Sequence, residues 1–294
     1  MPDRSSTDYK EAAIEQWTAD PCGSNIAEGA PGSREYFVRL IEARHAYASW
    51  MAESLGYAET NGLDVLDVGC GQGIDVARYA MEGARATGVD LTPRHIELAN
   101  SHLAAMGLDG RVVLGDAETL PFGDASFDRV SSNGVLHHTP DMPAALREIC
   151  RVLRPGGQAR VIVYNRNSLH YWLDQVLVAG ILKGGLLRDR SMEEVLTRVE
   201  VSSVDARPLV RVYSPRRLRR MMRAAGFNDV DTHVRHFQPE DSFATGFLAR
   251  RSFQMRAPKV LEVLGRIGGW YVVGTGWRPD DRQRSHLPDK AVIS

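Results

Sequence analysis

Strand-like and helix-like hydrophobic patterns alternate along most of the chain. Short runs of strand type cover Leu63 to Val68, Ala86 to Val89, Arg111 to Leu114, Arg129 to Ser132 and Ala159 to Tyr164. Between them lie stretches of helical spacing. One runs through Val76, Tyr79 and Ala80. A second follows Thr92-Pro93, the N-cap and first-turn positions, and carries Ile96, Leu98, Leu103 and Met106. A third, Met142 to Leu153, turns Ala144, Leu146, Ile149 and Val152 inward and stops at Arg154-Pro155-Gly156-Gly157. Strands alternating with helices at this spacing predict a parallel sheet covered on both faces.

Both ends of the chain depart from that rhythm. Residues 1–9 read as disordered, Glu11 to Trp17 as a short helix, and Arg34 to Leu55 as one helix capped by Ser33. Tyr36, Leu40 and Arg44 fall on one face of it. Asn165 to Glu200 reads as two helices broken at Lys183-Gly184-Gly185. Ser214 caps a last helix over Pro215 to Ala225. Phe227 to Phe237 alternates as a strand, 238–267 holds a loop and at least one helix, Gly269 to Trp277 is a final strand, and a polar tail begins at Arg278. The units expected are 1–58, an N-terminal helical lid; 59–166, the core; 167–212, a helical insertion after the fifth strand; and 213–294, the closing part of the fold.

The chemistry centres on LDVLDVGCGQGIDVARYAMEGARATGVDL, residues 63–91. Strand, glycine turn, helix, strand and acid form the βαβ unit that holds an adenosine-containing cofactor at the carboxyl edge of a parallel sheet. Gly69, Gly71 and Gly73 let the backbone close on a ligand that a Cβ would hold off. Asp90, at the second strand end, suits a ribose diol because one carboxylate accepts both hydrogen bonds. A dinucleotide fingerprint fails, since Ile74 stands where its last glycine belongs. Asp67 would repel a pyrophosphate but can pair, directly or through water, with an ammonium group. Ribose, adenine and an amino acid fit; phosphates do not.

VLDVGCGQG followed by GVDL resembles the first two motifs of the class I S-adenosylmethionine-dependent methyltransferases, in particular their type-11-like small-molecule members. GDAE at Gly115 to Glu118, LPFGDASFD, GVLHHTPD and LRPGG extend the likeness, which covers about Trp17 to Arg166. It implies an α/β, Rossmann-like, seven-stranded and mostly parallel sheet, with S-adenosylmethionine as cofactor and S-adenosylhomocysteine as product. The residues it points to for the cofactor are Asp67, Gly69, Cys70, Gly71, Gly73, Asp90, Leu91, Asp116, Ala117 and Asn133. A W-x-x-x-P-C-G segment resembles the lid of one bacterial subgroup and adds Trp17, Tyr36 and Arg44. His138, and after it His137, are the candidate catalytic residues, because imidazole titrates near working pH. Tyr164, Asn165 and Arg166 follow the fifth strand and are candidates for the acceptor. Methyl transfer to an O or N atom of a small molecule in bacterial specialised metabolism is the activity expected. Another displacement at the sulfonium, such as intramolecular cyclisation, and a non-catalytic binding module are the alternatives.

Composition narrows the partners. The formal net charge is −1, so no global field favours nucleic acid or an anionic membrane. The arginines between Arg216 and Arg223 read as a solvated helix face. Three cysteines without pattern fit a reducing compartment and no zinc site or disulfide framework. With no apolar leader and no uncharged run long enough to span a bilayer, the chain is expected to be cytoplasmic and metal-free.

Overall fold

The computed structural model describes residues 4–23, 30–189, 191–200, 203–238 and 258–280. A seven-stranded sheet has the order β3-β2-β1-β4-β5-β7-β6. Its strands are β1 (Asp64–Val68), β2 (Arg85–Asp90), β3 (Gly110–Leu114), β4 (Phe127–Asn133), β5 (Leu153–Tyr164), β6 (Asn228–Arg235) and β7 (Tyr271–Trp277). The first five pair in parallel; β7 runs antiparallel between β5 and β6. This is the sheet that the sequence predicts.

Helices α4 (Ile74–Met81), α5 (Pro93–Met106) and α6 (Met142–Val152) cross over between the parallel strands. Val65, Leu66 and Val68 of β1 are fully buried, as a central strand covered on both faces requires. The chain winds one way from β1 through β2 to β3 and the other way from β4 to β5. A crevice therefore opens beyond the carboxyl ends of β1 and β4, and the site lies there.

The N-terminal region differs from expectation in two places. Helix α1 (Ser6–Ala19) begins inside the stretch read as disordered. Ser5 and Asp8 close a reciprocal capping box, with bonds of 3.2 Å to the Asp8 amide and 2.7 Å from the Ser5 amide. The helix expected from Arg34 to Leu55 is two, α2 (Arg34–Tyr47) and α3 (Trp50–Leu55). Side chains from the sheet hold the end of α3. Arg129 of β4 donates to the Gly56 carbonyl at 2.9 Å, and Arg160 of β5 to those of Glu53 and Ser54 at 3.1 and 3.2 Å. These bonds satisfy carbonyls that a helix end leaves free. The break itself falls at Ala48, whose backbone leaves the helical region (φ −144°, ψ 61°).

The insertion is a π-helix (Tyr171–Leu182) followed by α7 (Gly185–Arg188) and α8 (Met192–Val199), three pieces where the pattern predicts two. Helices α9 (Pro215–Ala224) and α10 (Pro258–Gly268) complete the closing hairpin. The parts of the expectation that fall on 239–257 and 281–294 lie outside the described residues.

The turn after β1 is pinned to β2, since the amides of Gly69 and Cys70 both donate to the Val89 carbonyl, at 2.7 and 3.0 Å. Gly69 has φ of +76°, and a Cβ there would lie 2.2 Å from Val135. Gly69→Ala should therefore cost roughly 2–5 kcal/mol from backbone strain and overpacking together. A urea midpoint equal to that of the native chain would show that the turn and Val135 yield instead.

Candidate active site

A cavity of about 340 Å³ lies at the carboxyl ends of β1, β2 and β4, beneath the N-terminal segment. That volume is within the range of small-molecule sites. The turn carrying Gly69, Cys70 and Gly71 forms part of its floor. Gly71 has φ of +52°, and a Cβ there would meet nothing within 4 Å, so the turn presents an open cradle.

Asp90 ends β2 at the cavity, 8% exposed. One oxygen accepts from the Gly71 amide at 2.9 Å; the other accepts from the Thr92 amide at 2.9 Å and lies 3.0 Å from His95 Nδ1. Burial pushes the carboxyl up, but His95 and the two amides outweigh it, and Asp90 titrates below its usual range. It is ionised at neutral pH.

Arg44 reaches in from α2 and donates to Asp75 of α4 at 2.7 Å. Tyr57 donates to the other Asp75 oxygen at 2.5 Å, and Asn133 adds a third bond at 3.2 Å. Burial works against the Arg44 charge, yet Asp75 prevails and raises the guanidinium above its ordinary value. Tyr36 does not line the cavity. Its hydroxyl donates to Gln72 at 3.0 Å, and Gln72 in turn donates to the Cys22 carbonyl at 2.8 Å. Of the predicted face of α2, Leu40 and Arg44 line the cavity, whereas Tyr36 is linked through Gln72 to the Cys22 carbonyl.

At the end of β3, Lys10 of α1 donates to Asp116 at 2.6 Å and also to Glu118. Burial lowers the Lys10 pKa, but the two carboxylates win and raise it. Trp17 stands edge-on to His138, with ring centroids 5.6 Å apart. Lys10, Trp17, Cys22 and Arg44 all line the cavity, so the N-terminal segment is closed over it.

His138 lines the cavity beyond β4, and its Nδ1 lies 2.7 Å from the Leu209 carbonyl. A carbonyl only accepts, so Nδ1 carries the proton and Nε2 keeps its lone pair. Burial, partly offset by this bond, pushes the imidazole down to about 4. His138 is therefore neutral at physiological pH.

His137 does not reach the cavity. It is fully buried, its ring centroid 4.2 Å from that of His138 and 3.8 Å from that of Tyr164. Neither ring nitrogen has a partner among the described residues. Asp67 also stays out, 2% exposed and accepting from Ser131 at 2.9 Å. Burial first, then the Asp75 charge, holds its carboxyl well above the usual range. Gly73 packs against Ala99 of α5 instead of facing the cavity. Tyr164 lines the cavity, but Asn165 and Arg166 do not. Asn165 is fully buried and donates to the Gly269 carbonyl at 2.8 Å. Cys70, Leu91, Asp116, Ala117 and Asn133 are all at the cavity, as expected.

Lys10, Gln72, Asp75 and His95 were not readable as site residues. Lys10 meets Asp116 across more than a hundred residues, and Asp75 matters only once α2 delivers Arg44. His95 carried a signal: it follows Asp90 by five positions on the first turn of α5. Among the described residues no group of three or more His, Cys, Asp or Glu is placed to hold a metal. No helix among them is long and apolar enough to cross a membrane.

Strand order and crossovers together define an α/β protein of the class I methyltransferase fold. Residues 66–161 match a family model described as a methyltransferase domain, and the chain carries a domain of that family. It is 41% identical over 125 residues to the methyltransferase GfsG of Streptomyces halstedii, covering 42% of this chain and 44% of that one. Similarity to the ubiquinone biosynthesis O-methyltransferase of Pseudomonas putida is 34% over 151 residues, covering 50% and 62%. The chain thus spans less than two thirds of the length of either relative. A solved structure of the Burkholderia thailandensis 1,6-didemethyltoxoflavin-N1-methyltransferase, with S-adenosylhomocysteine bound, superposes with a TM-score of 0.55. The two share 21% identity, over 95% of this chain and 93% of that one.

The buried, unpartnered His137 generates a stability prediction. Burial first, then His138, depresses its pKa well below the ordinary value. Below about pH 6.5 the unfolded chain therefore takes up a proton that the native state refuses, and stability falls as pH drops from there toward the folded pKa. His137→Phe keeps an aromatic ring and removes both unpartnered nitrogens. It should add about 1 kcal/mol at pH 7 and flatten the decline between pH 6.5 and 4.5, read from urea midpoints. A decline as steep as that of the native chain would mean His137 is not its source.

Proposed function

We propose that the protein transfers the methyl group of S-adenosylmethionine to an oxygen or nitrogen atom of a small, uncharged acceptor in bacterial specialised metabolism. The observation that carries this reading is the charge of the cavity wall. Asp75, Asp90 and Asp116 face it against only Lys10 and Arg44, and both cations are bound to carboxylates. Such a wall suits a cationic ligand and, among the described residues, offers no free cation to a phosphate. The Gly71 cradle and the ionised Asp90 fit the ribose of that ligand.

When bound, S-adenosylmethionine supplies a methyl group already activated by its sulfonium. The chain's own task is then to bind, align and exclude water. In this reading Asp90 accepts from the ribose diol, Asp116 and Ala117 border the adenine, and Trp17 and Lys10 keep the lid shut. His138 Nε2 accepts the acceptor's proton or holds it by a hydrogen bond, opposite the Tyr164 ring. An imidazole at about 4 is a weak base, so its larger part is alignment, with proton loss late. The acceptor wall is Tyr164 without Asn165 and Arg166, whose neighbours in the sequence analysis they were. The relatives named above, one an O- and one an N1-methyltransferase, support an O or N acceptor. We also take the partner to be a small molecule, with neither nucleic acid nor membrane involved.

Calorimetry in excess chelator should show binding of S-adenosylmethionine and S-adenosylhomocysteine; no heat at millimolar ligand sinks the reading. Asp90→Ala should weaken either ligand by roughly 2–3 kcal/mol, the loss expected for charge-assisted bonds. With an acceptor in hand, His138→Ala should lower turnover roughly 10²–10⁴-fold while cofactor affinity holds. The native rate should rise with pH through about 4, below the ordinary histidine range, and the variant should lack that limb. Formation of methylthioadenosine in place of S-adenosylhomocysteine would favour cyclisation instead.

A further inference from the structure

The helical insertion ends in a segment that touches the candidate catalytic histidine. After α8, the chain returns through Ala206 to Tyr213 along the loop that follows β4. Leu209 and Val210 are buried at 0% and 1% exposure. Three bonds join the two segments: the Leu209 carbonyl to His138 Nδ1 at 2.7 Å, the Arg211 amide to the His137 carbonyl at 3.0 Å, and Arg211 Nη1 to the Pro140 carbonyl at 2.7 Å. The same guanidinium is held from its other side by Glu193 of α8, at 3.1 and 3.3 Å. Arg211 therefore ties α8, the returning segment and the histidine loop together.

We propose that this segment is a strap that selects the tautomer of His138, with Arg211 as its positioning residue. The proposal rests on the reading of His138 as the acceptor-side group. Free imidazole populates both neutral tautomers, and only the one protonated at Nδ1 leaves the Nε2 lone pair available. The Leu209 carbonyl enforces that form because it has no proton to give. A backbone carbonyl holds its position only as well as its segment is anchored. Leu209 lies two residues from Arg211, whose guanidinium reaches the far end of the His137–Pro140 loop. Losing the Arg211 side chain removes the ties to Pro140 and to Glu193 at once, and of the three bonds only the Arg211 amide on the His137 carbonyl is left to support the one between Leu209 and His138.

Among the described residues, the other groups near His138 do not select a tautomer. Trp17 and Tyr164 meet it edge-on, with centroids 5.6 and 6.3 Å away. His137 lies against its ring at 4.2 Å with no hydrogen bond to it. The selection rests with the strap, and the insertion thereby acquires a part in the chemistry that its distance from the glycine turn would not suggest.

The test reads the tautomer directly, by nitrogen NMR of histidine-labelled protein without any ligand. The His138 signals are assigned by their loss in His138→Gln. In the native chain His138 should be protonated at Nδ1. In Arg211→Met, which keeps the aliphatic stem, the signal should shift toward a mixture of the two tautomers. Arg211→Lys, able to keep one of the two side-chain contacts, should restore it in part. With an acceptor available, Arg211→Met should lower kcat roughly 10–10²-fold at unchanged KM for S-adenosylmethionine, the scale of a small misplacement. Should Arg211→Met fail to fold by circular dichroism, Glu193→Gln removes the ion pair from a half-exposed position and should produce a smaller shift of the same sign. A His138 that stays protonated at Nδ1 in the folded variant overturns the strap, whatever happens to activity. If the tautomer shifts while His138→Ala keeps native turnover, the strap stands and the catalytic reading of His138 falls.

Discussion

The grip of the Asp90 carboxylate on the two segments around it is the interaction on which the rest of the site depends. One oxygen holds the Gly71 amide and the other holds Thr92 and His95 at the start of α5. A carboxylate buried to this degree would protonate if its lone pairs were empty, because desolvation penalises the charge. Three donors keep it ionised. They also fix the glycine turn against β2, so the cradle is shaped by the same charge that faces the cavity. An acid is needed here for structure as well as for recognition: an amide side chain would present one donor end to groups that are themselves donors.

A second constraint concerns the N-terminal segment, which we propose acts as a lid. Closing α1 and α2 over the crevice brings Lys10 and Arg44 out of water, a cost that only close partners offset. Each finds a carboxylate, Lys10 the Asp116–Glu118 pair and Arg44 the buried Asp75. Both carboxylate sites belong to the sheet domain, so the ion pairs are specific to the closed arrangement. Lid position and cavity charge are consequently one quantity. Opening the lid would expose three carboxylates without their cations, which strengthens the field on a positively charged ligand as it enters.

How far the sequence discloses this arrangement follows from the range of each interaction. Strand and helix positions and the glycine turn are legible because they rest on periodicity and on glycines with positive φ, both local properties. The seven-stranded sheet is implied by the family resemblance, and its strand order comes from the fold. Asp90 is legible because a strand end fixes its place. His137 and His138 are adjacent, but Leu136–His138 is a 3₁₀ turn and not extended, so their rings stay 4.2 Å apart. That only His138 reaches the cavity is decided by the folded loop, not by strand alternation. Asp67 misled because its strand position puts it near the turn, whereas its side-chain direction puts it under the sheet beside Ser131. Asn165 lies past the strand end, and its amide is consumed by the Gly269 carbonyl, more than a hundred residues away. Lys10 and Asp75 gain meaning only from partners that the folded chain supplies.

The two halves of the cavity are built by different logics. On the cofactor side, backbone amides and one carboxylate do the work, and the elements that carry them are the parallel strands common to the fold. In the proposed reading the acceptor side is made of rings and of segments outside that common core: Trp17 from α1, Tyr271 from the antiparallel strand, and His138 held by the returning segment of the insertion. A neutral imidazole suits this side because a cation-binding wall stands opposite. A protonated histidine there would face the ligand's own positive charge and weaken its binding. Burial lowers the His138 pKa to about 4 and so keeps the ring uncharged opposite that wall, while the Leu209 carbonyl, which partly offsets the shift, decides which nitrogen keeps the lone pair.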